Sequence, residues 1–444
     1  MGTNEATVVT GTAAGFLLIM IFMIFALPRR LALIPVLSTA ILMTIGQQVV
    51  IGGANFTFLR IVILFGWIRV FAKAELGEFQ KNSIDKAFIW WVILAVIIGL
   101  IPKERHPDAV MPDPGLAGAI MNKAGFAFDA LGGYFLARCM VRTKEDVVLN
   151  ICALVVFSVA LAIFMTVEKS SGRNLFSTFG AVSEFTVIRE GRLRCQGPFT
   201  HPIHAGNFGA TLLPLCIGLW VCGRRKTALV GAVAATIVTA SSASSGPLMV
   251  WMCGIVGLSL WPFRDNMKWV RRSTVLLLIA LEMVMKSHVW WIIARVGDLV
   301  GGGSYWRAKL IDQFVSHFSE WWLKGTNYTA HWSPTGVGLP LYPDMMDLTN
   351  QFVAEGVNGG LIRLTLFIVI IVRCFKQVGL VVRDVSTYDL ASRFLFWAIG
   401  SSLFAYLVAF MSVSISSQTA LLYYSLLAFI SCELPTKRQS IGAV

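Results

Sequence analysis

The sequence predicts an all-α, polytopic transmembrane helix bundle of about 12–13 spans with a large, partly helical extracytoplasmic loop. Three observations predict it. First, the 444 residues are 56% hydrophobic and 14% charged, with a mean hydropathy of +0.71. A soluble domain carries about 25% charged residues, so this much apolar surface needs a bilayer as its solvent. Second, the apolar residues gather in runs near the ~20 residues that a membrane helix requires, longer than the ~9–11 of a barrel strand. Third, the basic residues recur at alternate connections, as they do in membrane proteins whose cytoplasmic loops collect Lys and Arg.

The apolar runs are 8–26, 31–49, 55–71, 87–101, 116–139, 147–167, 205–222, 227–242, 246–262, 274–289, 359–372, 394–411 and 415–432. The fifth contains Lys123 and Asp129, and the eleventh is short, with Arg363 near its start. Every odd-numbered run is followed by basic residues: Arg29 and Arg30, then Lys73, Lys81 and Lys86, then Arg138, Arg142 and Lys144. The pattern continues with Arg224, Arg225 and Lys226, with Arg264, Lys268, Arg271 and Arg272, and with Arg373, Lys376, Arg383 and Arg393. It closes on Lys437 and Arg438. This alternation puts those connections in the cytoplasm and the N-terminus outside. The chain 1–444 reads as one membrane domain, with long outer loops at 168–204 and 290–358.

The formal charge of +13 would suggest nucleic acid in a soluble protein. In a membrane protein the cytoplasmic loops account for it, so no nucleic-acid partner is expected. Seven of the eight cysteines lie in or beside apolar runs, and only Cys195 sits in a long polar loop. No CxxC pair occurs, which argues against a disulfide framework or a zinc site. The first apolar run lacks a basic leader, so a cleaved signal peptide is not expected. No internal repeat is visible.

The first outer loop holds Arg189, Arg192 and Arg194 close together, with His201 and His204 shortly after them. On the outer side these arginines run against the charge bias that orders the rest of the chain. Guanidinium groups are permanently charged and bind phosphate oxygens bidentately. The plainer alternative is a solvated loop with ion pairs to Glu184 and Glu190. His201 precedes Pro202 and reads equally as a helix cap.

The second outer loop carries Tyr305, Trp306, Arg307, Asp312, His317, Glu320, His331, Trp332, Asp344, Asp347, Asn350 and Glu355. Trp290 and Trp291 read as an interfacial aromatic belt. For Trp321, Trp322 and Trp332, an amphipathic helix lying on the membrane competes with sugar stacking. His317, alone on a helical stretch, reads as structural. His331, in a Gly/Pro/Ser-rich stretch, reads as functional. Arg60, Lys123, Asp129, Glu282, Lys286 and Arg363 are the ionisable groups inside apolar runs. The four basic ones read either as snorkelling side chains or as a basic vestibule facing an anionic lipid-linked head group.

The run Arg194-Cys-Gln-Gly197-Pro-Phe199-Thr-His-Pro202, leading into a small-residue-rich helix, resembles the first outer-loop signature of the O-antigen ligase and Wzy-type polysaccharide polymerase superfamily. Ser241 to Gly246 resembles its Ser/Thr-rich turn, without the usual Ser-Arg pair. Gly303-Ser-Tyr-Trp-Arg307 resembles the aromatic-Arg opening of its large loop, and Leu323-Lys-Gly325-Thr the glycine turn next in order. The stretch from Asp347 to Leu361 is similar to the ending of that loop, but Thr349 stands where the family often has histidine.

The resemblance implies a bacterial inner-membrane enzyme that polymerises polyprenyl-pyrophosphate-linked oligosaccharide repeat units into an exopolysaccharide or O-antigen on the outer face. Its long loops would be periplasmic or extracellular. The transfer would be metal-independent and cofactor-free, and no Asp-x-Asp or His-rich cluster stands in the sequence. The resemblance further implies that Arg192, Arg194, Arg307 and Arg363 face the leaving pyrophosphate. A base among Asp347, His331 and Glu355 would serve the acceptor hydroxyl, since a threonine hydroxyl is not basic at neutral pH. His201, His204, Tyr305, Trp306, Trp332 and Asn350 would contact substrate. A flippase and a chain-length regulator are the candidate partners. The alternatives are a ligase that moves finished glycan to a lipid or protein acceptor and, from a different class, a secondary transporter.

Overall fold

The computed structural model describes residues 9–51, 54–76, 81–113, 115–299, 304–333, 336, 338–340 and 342–432. Gly303, Lys437 and Arg438 therefore lie outside the described residues. The chain is mostly helical. Helices α1 (Gly11–Ala26), α2 (Ile34–Leu42), α3 (Phe58–Ala72), α4 (Ser83–Leu100), α5 (Gly115–Ala127), α6 (Gly133–Met140) and α7 (Lys144–Ser171) make up the first half. Next come α8 (Pro202–Val221), α9 (Arg225–Ser241), α10 (Ser245–Ser259), α11 (Met267–Val284), α12 (Ile292–Leu299), α13 (Tyr305–Ser316) and α14 (Phe318–Trp321). The chain closes on α15 (Gln351–Arg383), α16 (Leu390–Phe410) and α17 (Ser417–Ile430). Two hairpins interrupt the helices: β1 (Gln48–Ile51) with β2 (Ala54–Thr57), and β3 (Val187–Arg189) with β4 (Arg192–Arg194).

Five helices are long and apolar enough to cross a membrane: α4, α7, α8, α15 and α16. A sixth arises if the bent pair around the 72° break after α10 counts as one span. The remaining apolar runs give shorter helices. The run 31–49 is not one span. It makes a nine-residue helix and then β1, because Gln47 and Gln48 interrupt the apolar pattern and β-branched Val49, Val50 and Ile51 favour extended backbone. The run 116–139 is α5 and α6 joined by a π-helical turn, Phe128–Gly132, that contains Asp129.

Capping fixes several starts. Asn82 and Asp85 form a reciprocal capping box at α4, and Thr143 and Asp146 do the same at α7. The basic residues after the first runs meet at one end of the bundle. Arg69, at the end of α3, donates to the Leu27 carbonyl after α1 at 2.6 Å. Arg29 pairs with Asp146 at the start of α7 at 3.0 Å, and Arg142 donates to the Glu75 carbonyl. The β3–β4 hairpin is tied to Glu168, at the far end of α7. Helix α7 has 28 residues, so a rise of about 1.5 Å per residue separates the two ends by ~42 Å. The arginines of the first long loop and the basic exits Arg29, Arg69 and Arg142 thus lie at opposite ends of α7.

Two charged groups inside the apolar helices have opposite-charge partners. Arg60 grips Asp129 through two bonds of 2.8 and 2.7 Å. Asp85, fully buried, accepts from Arg138 and from the Tyr134 hydroxyl at 2.6 Å. Of the four basic residues behind the vestibule expectation, Arg60, Lys123, Lys286 and Arg363, the two arginines each have a carboxylate partner, whereas Lys123 and Lys286 form no ion pair among the described residues. An unpaired charge in an apolar environment costs several kcal/mol.

The large loop builds a small core of its own. Leu310, Trp321 and Trp332 pack with Val353 and Val357 of α15. Trp321 and Trp332 are buried, which corrects the expectation that they lie on a membrane or stack on a sugar; Trp322 stays exposed. Helix α15 is broken where Gly359 and Gly360 leave helical geometry. The loop fills the break: Thr326 N donates to the Val357 carbonyl at 2.9 Å, and Leu361 N to the Trp322 carbonyl at 2.7 Å. Gly360 has φ +69°, and a Cβ there would lie 2.5 Å from the Leu323 oxygen. Only glycine meets both demands.

Candidate functional site

The site begins with a tight hairpin. Glu190 and Gly191, at φ +53° and +72°, turn β3 into β4, the backbone sign that matches the twist of a two-residue hairpin. Glu168 anchors the segment just after β4. Its carboxylate accepts from Gln196 N at 3.1 Å, Gly197 N at 2.9 Å and the Thr186 hydroxyl at 3.3 Å. The Cys195 N–H donates to the Ser241 carbonyl at the end of α9. Arg194 is thereby held against the α9–α10 turn, and its Nη2 donates to Ser244 Oγ at 2.8 Å.

Arg307 approaches the same turn from the first turn of α13. Its Nη1 donates to Ser304 Oγ at 3.3 Å. Its Nη2 lies within van der Waals reach of Gly246, at the start of α10. Arg307 lines a cavity of about 380 Å³ whose other walls include Met249, Ile293, Phe352, Val408 and Met411. Apart from Arg307 and three serines, the lining is apolar.

The electrostatics are uncompensated. Arg194 is 8% exposed, and its Nε is buried with no partner. Neither Arg194 nor Arg307 forms an ion pair with a carboxylate among the described residues. The pKa of Arg194 is held below its ordinary range, by burial first and then by Arg189, with Glu190 only partly offsetting. That of Arg307 is lowered by burial, then by Arg189 and Arg194. His201 caps α8 through Nδ1, which accepts from Ile203 N at 3.2 Å. Its pKa is pushed down to about 4, by surrounding protein and then by Arg194 and Arg307. Arg194 and His201 from the first loop and Arg307 from the second thus share one field that favours an anion.

The other expected site residues are spread more widely. Arg192 is exposed on β4, and its side chain forms no hydrogen bond or ion pair among the described residues. Tyr305 and Trp306, beside Arg307, are half-exposed. Asn350 caps α15, its Oδ1 accepting from Phe352 N and Val353 N. Its amide nitrogen lies 4.0 Å from Met411 Sδ at the cavity wall. His204 is buried in α8 and lines, with Asn207, a cavity of only about 20 Å³. Asp347 is exposed and makes no side-chain hydrogen bond among the described residues; neighbouring protein pushes its pKa up.

Glu355 and Arg363 pair with each other instead of facing the cavity charges. Arg363 Nε donates to Glu355 Oε2 at 2.7 Å, and Trp91 Nε1 donates to the same oxygen at 3.0 Å. Gln351 donates to Oε1 at 2.6 Å, and the Arg363 guanidinium lies over Trp91 and Phe126. Glu355 is 1% exposed with both oxygens engaged. In this arrangement it is no free base, and Arg363 is no free cation. His331 sits elsewhere, with Nε2 at 3.0 Å from Glu320. Trp332, 1% exposed, donates to Glu320 and presents no open face.

Sequence reasoning missed Glu168, Ser244 and the grouping of His317 with Glu320 and His331. Glu168 had a signal: an acidic residue in the last turn of a helix opposes the helix dipole, so it needs donors from elsewhere. Glu168→Gln keeps the size but sets an NH2 group against backbone N–H donors. Its melting temperature in detergent should fall, by the equivalent of about 1–3 kcal/mol for unsatisfied buried groups. An unchanged melting temperature would show that the hairpin does not depend on this anchor.

No protein-family model matches the chain, and no curated protein matches it.

Proposed function

We propose that this protein crosses the bacterial inner membrane many times and polymerises polyprenyl-pyrophosphate-linked oligosaccharides on the outer side. The observation that carries the reading is the pair Arg194 and Arg307. They are buried or half-buried cations with no carboxylate partner among the described residues, and Arg307 lines an apolar cavity. When a glycan leaves a pyrophosphate, negative charge builds on the leaving oxygens, and fixed cations in a dry site stabilise it. An apolar wall next to those cations suits a lipid tail. The exposed Tyr305 and Trp306 suit a sugar. The basic exits at the opposite end of α7 would face the cytoplasm.

The acceptor hydroxyl needs a base within reach. Asp347 is our choice, because its carboxylate has no partner among the described residues and its pKa is shifted upward by burial. Turnover should then decline as acidification protonates this carboxyl.

The test is the purified protein in liposomes with a polyprenyl-pyrophosphate oligosaccharide, products resolved by size. A ladder of longer lipid-linked glycans is expected, and Asp347→Asn should lose most of the rate. Transfer of finished glycan to a separate lipid or protein acceptor without chain growth would instead indicate a ligase. Substrate flux with no new glycosidic bond would indicate a transporter and sink the proposal.

A further inference from the structure

The large loop gathers a second polar cluster, away from the residues lining the arginine cavity. His317 joins α13 to α14, Glu320 lies in α14, and His331 lies in the short turn Ala330–Trp332. Each offers one ligating atom, and these atoms all lie within 4.8 Å of one another. His331 Nε2 is 3.1 and 3.0 Å from the two Glu320 oxygens.

Supporting contacts orient His317 and Glu320. His317 Nδ1 lies 2.9 Å from the Gln313 carbonyl oxygen. A carbonyl can only accept, so the Nδ1 proton is fixed there, and the neutral ring keeps its lone pair on Nε2. Histidines that bind metals typically donate their other N–H to a backbone carbonyl in this way. Trp332 Nε1 donates to Glu320 Oε2 at 3.1 Å and orients the carboxylate. The His317 ring stacks on Trp332 at 5.3 Å, and the His331 ring on Tyr328 at 5.3 Å. A simple His331–Glu320 hydrogen bond explains two members of the group. It leaves the oriented His317 Nε2 without a purpose.

We infer that His317, Glu320 and His331 bind one divalent transition-metal ion of the Zn2+ type, with a fourth position open to water. Imidazole nitrogen favours Zn2+ over Mg2+ or Ca2+, which prefer all-oxygen sites. Two nitrogens and one carboxylate with an open position is a common zinc ligand set. Bonds of about 2.0–2.2 Å in tetrahedral geometry put ligand atoms ~3.4 Å apart. The present separations therefore need side-chain shifts of roughly an ångström, and the partial exposure of Glu320 and His331 leaves room for them. The ion would clip α14 to the turn at 330–332 and so favour the packed form of the loop. This inference does not depend on the glycan chemistry proposed above.

The test uses the full chain, purified in detergent and stripped with a chelator. Zn2+ alone should be retained at about one equivalent per chain, the stoichiometry of a single site. Co2+ alone should give the visible absorption of a tetrahedral site, and Zn2+ should displace it. His317→Ala and His331→Ala should each weaken Zn2+ binding by about 100-fold or more, exceeding a loss of outer-shell support. On the wild-type protein, Zn2+ should also protect His317 and His331 from acylation by diethyl pyrocarbonate, read by mass spectrometry. That readout stands even if the variants do not fold. Failure of the wild-type protein to retain Zn2+, absence of protection at these two rings, or wild-type affinity in the folded double variant would each overturn the inference.

Discussion

Replacing Arg194 or Arg307 with alanine should lower glycan chain growth by about 10²–10³-fold, the usual effect of removing one preorganised charge partner of a transition state. Both variants should still insert and purify as monodisperse protein. The reason is visible in their contacts. Arg194 donates to a serine hydroxyl and Arg307 does the same, and among the described residues neither guanidinium holds the fold through an ion pair. Removing either should relieve like-charge repulsion, because Arg194, after burial and Arg189, lowers the proton affinity of Arg307. A gain in melting temperature together with a loss of activity is therefore the expected signature. Arg307→Lys refines the test. A lysine keeps the charge but loses the bidentate fork, so partial activity with weaker donor binding is expected. Wild-type polymer length in both alanine variants would remove the cavity from consideration as the active site.

The second large effect concerns Glu355 and Arg363. Breaking a buried ion pair from one side leaves an uncompensated charge and costs about 3–5 kcal/mol. Glu355 is 1% exposed and Arg363 8%, so Arg363→Met should destabilise the protein by about that amount. Glu355→Gln should behave similarly, since Trp91, Gln351 and Arg363 all donate to its oxygens. The double variant Glu355→Gln/Arg363→Met should lose less stability than the two single losses added together. Thermal unfolding in detergent reads this coupling. Activity read on the same proteins separates two roles. A stable but inactive double variant would return Glu355 or Arg363 to the catalytic machinery, whereas a stable and active one leaves the pair structural.

Much of the fold was legible in the chain. Every apolar run overlaps a helix, because hydropathy over ~20 residues is a strong local signal. The hairpin at 187–194 was hidden in a loop, since three-residue strands carry almost no periodic signal. The shortening of the run 31–49 came from Gln47 and Gln48, a local interruption that a hydropathy average passes over. The broken helix at Gly359 and Gly360 was legible only as a pair of glycines. Its meaning lies in the carbonyls of Trp322 and Leu323, which approach from another part of the chain.

The sequence by itself determined that this is a chain of apolar helices, where its basic exits fall, and that arginines are misplaced in its first long loop. These come from composition and from distances along one chain. Which arginines meet was decided only by tertiary structure. Arg192 and Arg194 are two residues apart, yet one stays in solvent and the other is buried against the α9–α10 turn, because Glu168 pins the segment just after Arg194. Arg363 looked equivalent to Arg307, yet it faces Glu355 eight residues earlier along the same helix. The charge of a guanidinium is written in the sequence. Whether a carboxylate answers it is settled by packing.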